Sequence, residues 1–293
     1  GAEAQLTRLK KLGVTALVLD PIFPISNQGH LGMLGSPYSA TDVKYVNGAL
    51  TTQGSLFSFI TAAHDKGFKV ILTWVADRTG LDSLWVDTHP DWYQQLNGKP
   101  KLVPGRSDQL ALDYTSDALR AEMIKSMQTW VTNSKIDGIN AYEATGVPVS
   151  FWNQAAQGLT PTAAGDPVFF TTTSAWAPDL QLHTFSATGS TGLLNVMNSV
   201  GTGKLKAKQF AVVLEGYAAK YNTGSFGINY LNDLPTSMSQ GNESVRMGKK
   251  GALAMTALTF VAPGAPSIFN GQEVSFASSL KPYDYDFITW PKT

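Results

Sequence analysis

The sequence predicts a parallel α/β architecture, on three observations. Short apolar, β-branched runs recur along the chain, helix-patterned stretches lie between them, and the links between the two are short. Parallel strands covered on both faces read as continuous apolar runs, and a repeated β-then-α order argues for a parallel sheet. Taken in order, Thr15-Ala16-Leu17-Val18-Leu19-Asp20 is a first strand, bounded by Gly13 and Pro21. Residues 55–66 pattern as a helix, and Lys69-Val70-Ile71-Leu72-Thr73-Trp74-Val75 follows after Gly67. A helix over residues 116–132 precedes a third strand at 137–142, and Val168-Phe169-Phe170-Thr171-Thr172-Thr173 is a fourth. Later strand candidates are residues 180–185, 227–231 and 267–269, with a helix over 245–258 before the last. Pattern alone leaves a barrel and a doubly wound sheet equally compatible.

The chain has 293 residues, 43% hydrophobic and 15% charged. That is enough for one large core, and an α/β barrel uses about 250 residues as a unit, so a single domain over 1–293 is expected. Lys plus Arg is 22 and Asp plus Glu is 22, a formal net charge of +0. Nothing in that balance attracts nucleic acid or an anionic membrane surface. The absence of cysteine excludes disulfides and thiolate metal sites. His30, His64, His89 and His183 are scattered without metal-ligand spacing, and no nucleophile elbow, phosphate loop or dinucleotide fingerprint occurs. The most apolar region, residues 251–269, is interrupted by Thr256, Thr259 and two prolines; it reads as a buried helix and a strand, with a membrane span as the alternative. The N-terminus lacks a basic-then-apolar signal pattern, so no targeting segment is expected in the chain. Asn242-Glu243-Ser244 is a glycosylation sequon, read as chance. Residues 78–113 are polar and rich in Trp, Pro and Gly, an excursion of the kind that builds a ligand face.

Several segments carry a family resemblance. Ile136-Asp137-Gly138-Ile139-Asn140-Ala141-Tyr142-Glu143-Ala144 resembles the nucleophile strand of the alpha-amylase family of glycoside hydrolases, which reads roughly [VI]-D-G-[FI]-R-x-D-x-A. Leu9-Lys10-Lys11-Leu12-Gly13-Val14-Thr15 is similar to that family's first helix and second strand, and Gly35-Ser36-Pro37-Tyr38-Ser39-Ala40-Thr41-Asp42 to its G-[ST]-x-Y-x-x-x-D loop. His89-Pro90-Asp91-Trp92-Tyr93 and Leu112-Asp113-Tyr114 look like parts of the loop after the third strand, and residues 263–273 like the eighth strand. The resemblance implies a TIM-type (β/α)8 barrel, here expected to lack the first strand and the C-terminal β domain. It also implies an extracytoplasmic or secreted setting and an α-glucan or maltooligosaccharide as ligand. The oligomeric state is left open.

The resemblance further implies where the chemistry would be, and these positions have changed. Retaining glycoside hydrolysis needs two carboxyl groups about 5–5.5 Å apart. Tyr142 stands at the nucleophile position and Asn140 at that of the preceding Arg. A phenol with a pKa near 10 is a poor nucleophile without a base. Glu143 is adjacent, but successive strand residues face opposite ways, so it replaces the Asp only if the strand is bulged. The acid/base position falls at Thr173-Ser174-Ala175, just before Trp176, and nothing from Pro167 to Pro178 is acidic. The third carboxylate corresponds to Asp233 in Leu231-Asn232-Asp233; its alternative is a helix N-cap. In the third-strand motif, Thr73 and Arg78 replace an Asp and a sugar-contacting His, and Asp77 replaces an Asn that often binds calcium. One oxygen ligand is too few for calcium, so no metal or cofactor is assigned, with an Asp77–Arg78 ion pair as the simpler reading. The expectation is therefore a barrel whose family-equivalent catalytic positions Tyr142, Ser174 and Asp233 do not function. Tyr38, Arg78, Asn140, Tyr142, Trp176 and Asp233 would line a glucan-binding cleft. Tyr38 is the leading sugar platform, with Trp85, Trp92 and Tyr93 as further aromatics in the excursion. The alternatives are an active α-glucan hydrolase or transferase with relocated carboxylates, and a non-catalytic protein-interaction scaffold.

Overall fold

The computed structural model describes residues 2–175, 184–218, 221, 224–276, 283, 284, 288 and 290, with the backbone alone for 173–175 and 218. Contacts divide the chain into two compact units, 1–171 and 172–293.

In the first unit, α1 (Leu6–Lys11) leads to β1 (Ala16–Leu19). Helix α2 (Gln53–Asp65) starts where the Thr52 hydroxyl accepts the Ser55 N–H and returns the chain to β2 (Lys69–Val75). The excursion after β2 is built from β3 (Arg78–Gly80), α3 (Leu84–Thr88), β4 (Gln95–Leu96), β5 (Lys99–Pro100) and β6 (Gln109–Ala111). β3 pairs antiparallel with β6, and β4 with β5. Helix α4 (Asp117–Thr129), capped by Ser116 and continued by a π turn over Trp130–Ser134, precedes β7 (Gly138–Tyr142). Helix α5 (Val149–Gly158) follows, and β8 (Phe169–Ala175) starts at the end of the unit.

β1, β2 and β7 form a parallel run in that order. Six of the seven residues of β2 are buried, as its unbroken apolar sequence requires. β1 is different: Ala16 and Val18 are exposed, because β2 is its one partner among the described residues. Phe23, Trp74 and Trp130 form the aromatic centre of the core, with edge-to-face centroid distances of 5.1 and 5.8 Å. The indole N–H of Trp130 donates to the Val43 carbonyl at 2.7 Å, so a buried donor is satisfied.

Asp137 and Gly138, which open the β7 motif, have structural roles. The Asp137 carboxylate accepts the Val70 N–H at 2.8 Å, His64 Nε2 at 2.8 Å and Lys69 Nζ at 3.0 Å. Burial alone would push its pKa up. The hydrogen bonds from Val70, His64 and Lys69 outweigh that and hold it below the usual carboxylate range. Gly138 passes so close to the next strand that a Cβ there would lie 2.6 Å from the Phe169 carbonyl oxygen. Gly138→Ala is therefore expected to destabilise by about 1–3 kcal/mol, read as a lowered urea midpoint with an unchanged slope.

In the second unit, β9 (Ala187–Gly189), α6 (Thr191–Gly201), α7 (Gln209–Ala218), β10 (Phe226–Tyr230), α8 (Leu234–Gln240), α9 (Glu243–Val261) and β11 (Ala265–Ser267) follow one another. β9, β10 and β11 are parallel neighbours. Leu193, Met197, Leu231, Met255 and Ala262 form the core. Helix α9 is interrupted at Gly248, whose φ of 71° glycine adopts without strain. Asn229 holds the turn that follows, donating to the carbonyls of Ala262 and Pro263 at 3.4 and 3.0 Å.

Against the sequence expectations, the 267–269 strand lies two residues earlier, and the 180–185 candidate falls mostly outside the described residues. The 251–269 region is helix then strand, and among the described residues no helix is long and apolar enough to cross a membrane. Asn242 is 4% exposed and its side-chain amide donates to the Phe276 carbonyl, so the sequon is closed in the folded chain.

Candidate functional site

The C-terminal ends of β2 and β7 bring together most of the first unit's candidates. The two strands are paired with Thr73 opposite Asn140 and Val75 opposite Tyr142. Asn140 uses its amide on its cross-strand partner, donating to the Thr73 hydroxyl at 3.0 Å, and both are buried. Where the family resemblance puts an Arg and an Asp, a short neutral pair closes the space instead.

Arg78, just beyond β2, is the centre of the cluster. It is 4% exposed and grips Asp77 in a two-point ion pair, Nε to Oδ1 at 2.7 Å and Nη2 to Oδ2 at 2.6 Å. Its Nη1 donates to Gln109 Oε1 at 3.2 Å, and its Nη2 also donates to Glu143 Oε2. Four of its five N–H groups are thus committed within the protein. Burial would lower its pKa, but the carboxylates of Asp77 and Glu143 raise it far above the ordinary range, so it is a permanent cation. The Asp77 carboxylate that stood as a calcium candidate is taken up by this pair. Among the described residues no group of three or more His, Asp or Glu side chains is arranged to hold a metal ion.

Glu143 corrects the expectation of strict alternation. β7 ends at Tyr142, and Glu143 takes a left-handed backbone conformation, φ 49°, that begins a short 3-10 turn. Its carboxylate therefore reaches the same Arg78 whose guanidinium lies 5.9 Å from the Tyr142 ring centroid. Arg106 comes to the same place, 3.9 Å from Glu143 and hydrogen-bonded to the Tyr142 phenol. Sequence reasoning set Glu143 aside unless the strand is bulged, and missed Arg106 and Gln109 as members of the site. No local pattern marks a positive φ at a glutamate, nor the return of the excursion onto β2.

Tyr142 is stacked on Tyr38, with centroids 4.2 Å apart and ring planes 18° from parallel. Burial raises the Tyr142 pKa, and the nearby Glu143 charge adds to that, so the phenol is further from a nucleophile than a free tyrosine. Tyr38 is 7% exposed and one of its faces is covered by Tyr142, which corrects its expected role as an open sugar platform. Asp233, in the second unit, caps α8 by accepting the Thr236 N–H at 2.8 Å, the alternative that the sequence allowed. β8 carries Ser174 in its backbone; Trp176 lies outside the described residues.

A parallel α/β order with a polar cluster at the C-terminal ends of two strands is where barrel proteins of this class build their sites. Residues 1–104 match the family described as alpha amylase, catalytic domain. Among curated relatives, the chain is 23% identical over 280 residues to alpha-amylase MalA of Haloarcula japonica, covering 92% of this chain and 40% of that protein. It is 22% identical to the maltogenic alpha-amylase of Bacillus acidopullulyticus, covering 96% and 50%. The maltogenic alpha-amylase AmyB from Thermotoga neapolitana superposes with a TM-score of 0.88 at 26% identity, over 96% of this chain and 65% of that one. The chain resembles the alpha-amylase glycoside hydrolases and shares the TIM-barrel fold of their catalytic domain. It spans half or less of the length of the two curated relatives.

Proposed function

We propose that this chain is an α-glucan-binding homologue of the alpha-amylases that does not hydrolyse its ligand. One observation carries the reading: the Arg78 guanidinium lies between Asp77 and Glu143, with a single nitrogen touching both carboxylates. In a retaining glycosidase the gap between two carboxyl groups holds the anomeric carbon and the leaving oxygen. The two carboxylates of this cluster, Asp77 and Glu143, are instead bridged by a cation. A guanidinium held between two anions neither gives up a proton nor leaves room for a sugar. The half-buried Tyr142 at the nucleophile position, stacked on Tyr38, supports the same conclusion.

The Tyr142 phenol, the free edge of Arg106 and Glu143, which is 44% exposed, supply polar partners for a glucan. Calorimetric titration with maltoheptaose, with product release followed in the same sample, tests the reading. Saturable heat with no shorter sugars is the expected result. Shorter sugars would show active hydrolysis, and no heat at all would remove glucan as the ligand.

A second reading, an active hydrolase or transferase with relocated carboxylates, draws on the same closeness of Asp77 and Glu143. It requires Arg78 to withdraw, and Glu143→Gln would then abolish product release. The interaction-scaffold reading draws on Leu253, Phe260 and Val261, exposed along α9.

A further inference from the structure

The whole-chain balance of 22 basic and 22 acidic residues hides a local excess of positive charge in the second unit. Lys204, Lys206 and Lys208 occupy the loop between α6 and α7, and Lys249 and Lys250 restart α9 after its break at Gly248. No acid occurs from residue 201 to 214 or from 244 to 272. All five lysines are exposed, and none forms an ion pair among the described residues. Glu215, two turns along α7 from Lys208, is the nearest exposed acid in sequence. The two groups of lysines are anchored side by side. Phe210 and Met247 pack on one core cluster, that of Met197 and Met255. The Ser199 carbonyl of α6 accepts the N–H groups of Lys204 and Leu205 at 2.8 and 3.0 Å. Gly251 abuts the last residue of α6, so that a Cβ there would lie 3.4 Å from the Gly201 carbonyl oxygen.

Helix stability does not explain this placement. A helix start carries partial positive charge and favours anions. Lys206 and Lys208 directly precede α7, whose first turn has no acid, and Lys249 and Lys250 open the second segment of α9. Four of the five cations thus stand where the fold alone disfavours them, adding to the positive ends of two helices. Exposed apolar side chains are set among them. Leu205 lies between two of the lysines, Val212 one turn along from Lys208, and Leu253 one turn along from Lys249. Their exposures are 42, 65 and 73%. We infer that this face docks on an anionic lipid surface. Headgroup phosphates meet the lysines and the helix starts, while Leu205, Val212 and Leu253 enter the boundary between headgroups and acyl chains. A soluble polyanion would use the lysines and gain nothing from the apolar residues, so lipid is the better match. The attachment is peripheral and reversible, and it stands whether or not the Arg78 cluster binds glucan.

The test is co-sedimentation of the full chain with vesicles of phosphatidylcholine alone and with about 30% phosphatidylglycerol, at low salt and at about 0.5 M. Binding to the anionic vesicles at low salt, its loss at high salt, and no binding to the neutral vesicles are the expected results. The variant Lys204→Gln/Lys206→Gln/Lys208→Gln should bind about 100-fold more weakly. Lys10→Gln/Lys11→Gln/Lys66→Gln removes three exposed charges from the first unit and changes the net charge equally, yet should keep most of the binding. Leu205→Ser keeps every charge; it should weaken vesicle binding about tenfold and leave binding to heparin unchanged. No sedimentation with anionic vesicles at low salt overturns the inference. Equal losses in the two triple variants also overturn it, because net charge and not this face would then be responsible. Vesicle binding indifferent to Leu205→Ser, with heparin bound as tightly, overturns it in favour of a soluble polyanion.

Discussion

Arg78→Met is expected to lower stability by about 3–5 kcal/mol, the largest effect of any single substitution in the cluster. Methionine keeps much of the side-chain volume and removes the charge, leaving the Asp77 carboxylate buried without its partner, and such a broken pair is costly. The Asp77 side chain is 14% exposed, so it bears most of the penalty. Glu143 is 44% exposed and is rescued by water and by Arg106, so its share is small and the lower end of the range is favoured. For a protein of this size that corresponds to a melting-temperature drop of roughly 5–8 °C. The double variant Asp77→Asn/Arg78→Met should recover part of the loss, because the stranded charge is gone. A melting temperature within a degree or two of wild type for Arg78→Met would show that the cluster is a solvated surface network. The same variant separates the two readings of function: no products from maltoheptaose is the expected result, whereas products would show that Asp77 and Glu143 act as a relocated pair once Arg78 is gone.

Asp137→Asn is expected to cost about 2–3 kcal/mol at neutral pH, the usual scale for charge-assisted hydrogen bonds lost at a buried acceptor. Asn keeps one carbonyl for the Val70 N–H but offers no charge to His64 and Lys69. The pH dependence follows from the direction of the shift. The folded-state pKa of Asp137 lies below its unfolded value. The unfolded chain therefore takes up a proton first as pH falls, and the stabilisation is fully present above about pH 4. It is lost as pH drops through the depressed folded value. Urea unfolding of wild type and Asp137→Asn should thus differ most above about pH 4 and converge in more acidic solution. A gap that widened on acidification would mean that Asp137 is held protonated in the folded state.

These two residues mark how unevenly the site could be read from sequence. Asp137 and Gly138 stood out as a motif, and both have local duties: one fastens β2 to β7, the other lets β8 approach. The long, unbroken apolar run at Lys69–Val75 was legible to the residue, because burial on both faces demands it. The three-residue strand at Ala187–Gly189 was not, because three small or polar residues carry no apolar signal. The short ladders of the excursion, β3 with β6 and β4 with β5, were equally silent. They are held by pairings across the loop rather than by propensity, which weighs little in so few residues.

What the sequence by itself determined was the parallel α/β order and its likeness to the amylase barrel, together with an expectation of altered residues at two of three catalytic positions. Those are properties of residue type and local spacing. What only the tertiary structure decided was where the remaining charges went. Arg78 meets Glu143 across 65 residues of sequence and Gln109 across 31. The first meeting depends on a left-handed turn at Glu143, and the second on β6 folding back along β3. Tyr38, intact in its motif, turned out to face Tyr142 instead of solvent. Such contacts depend on packing between distant segments, and no local pattern encodes them.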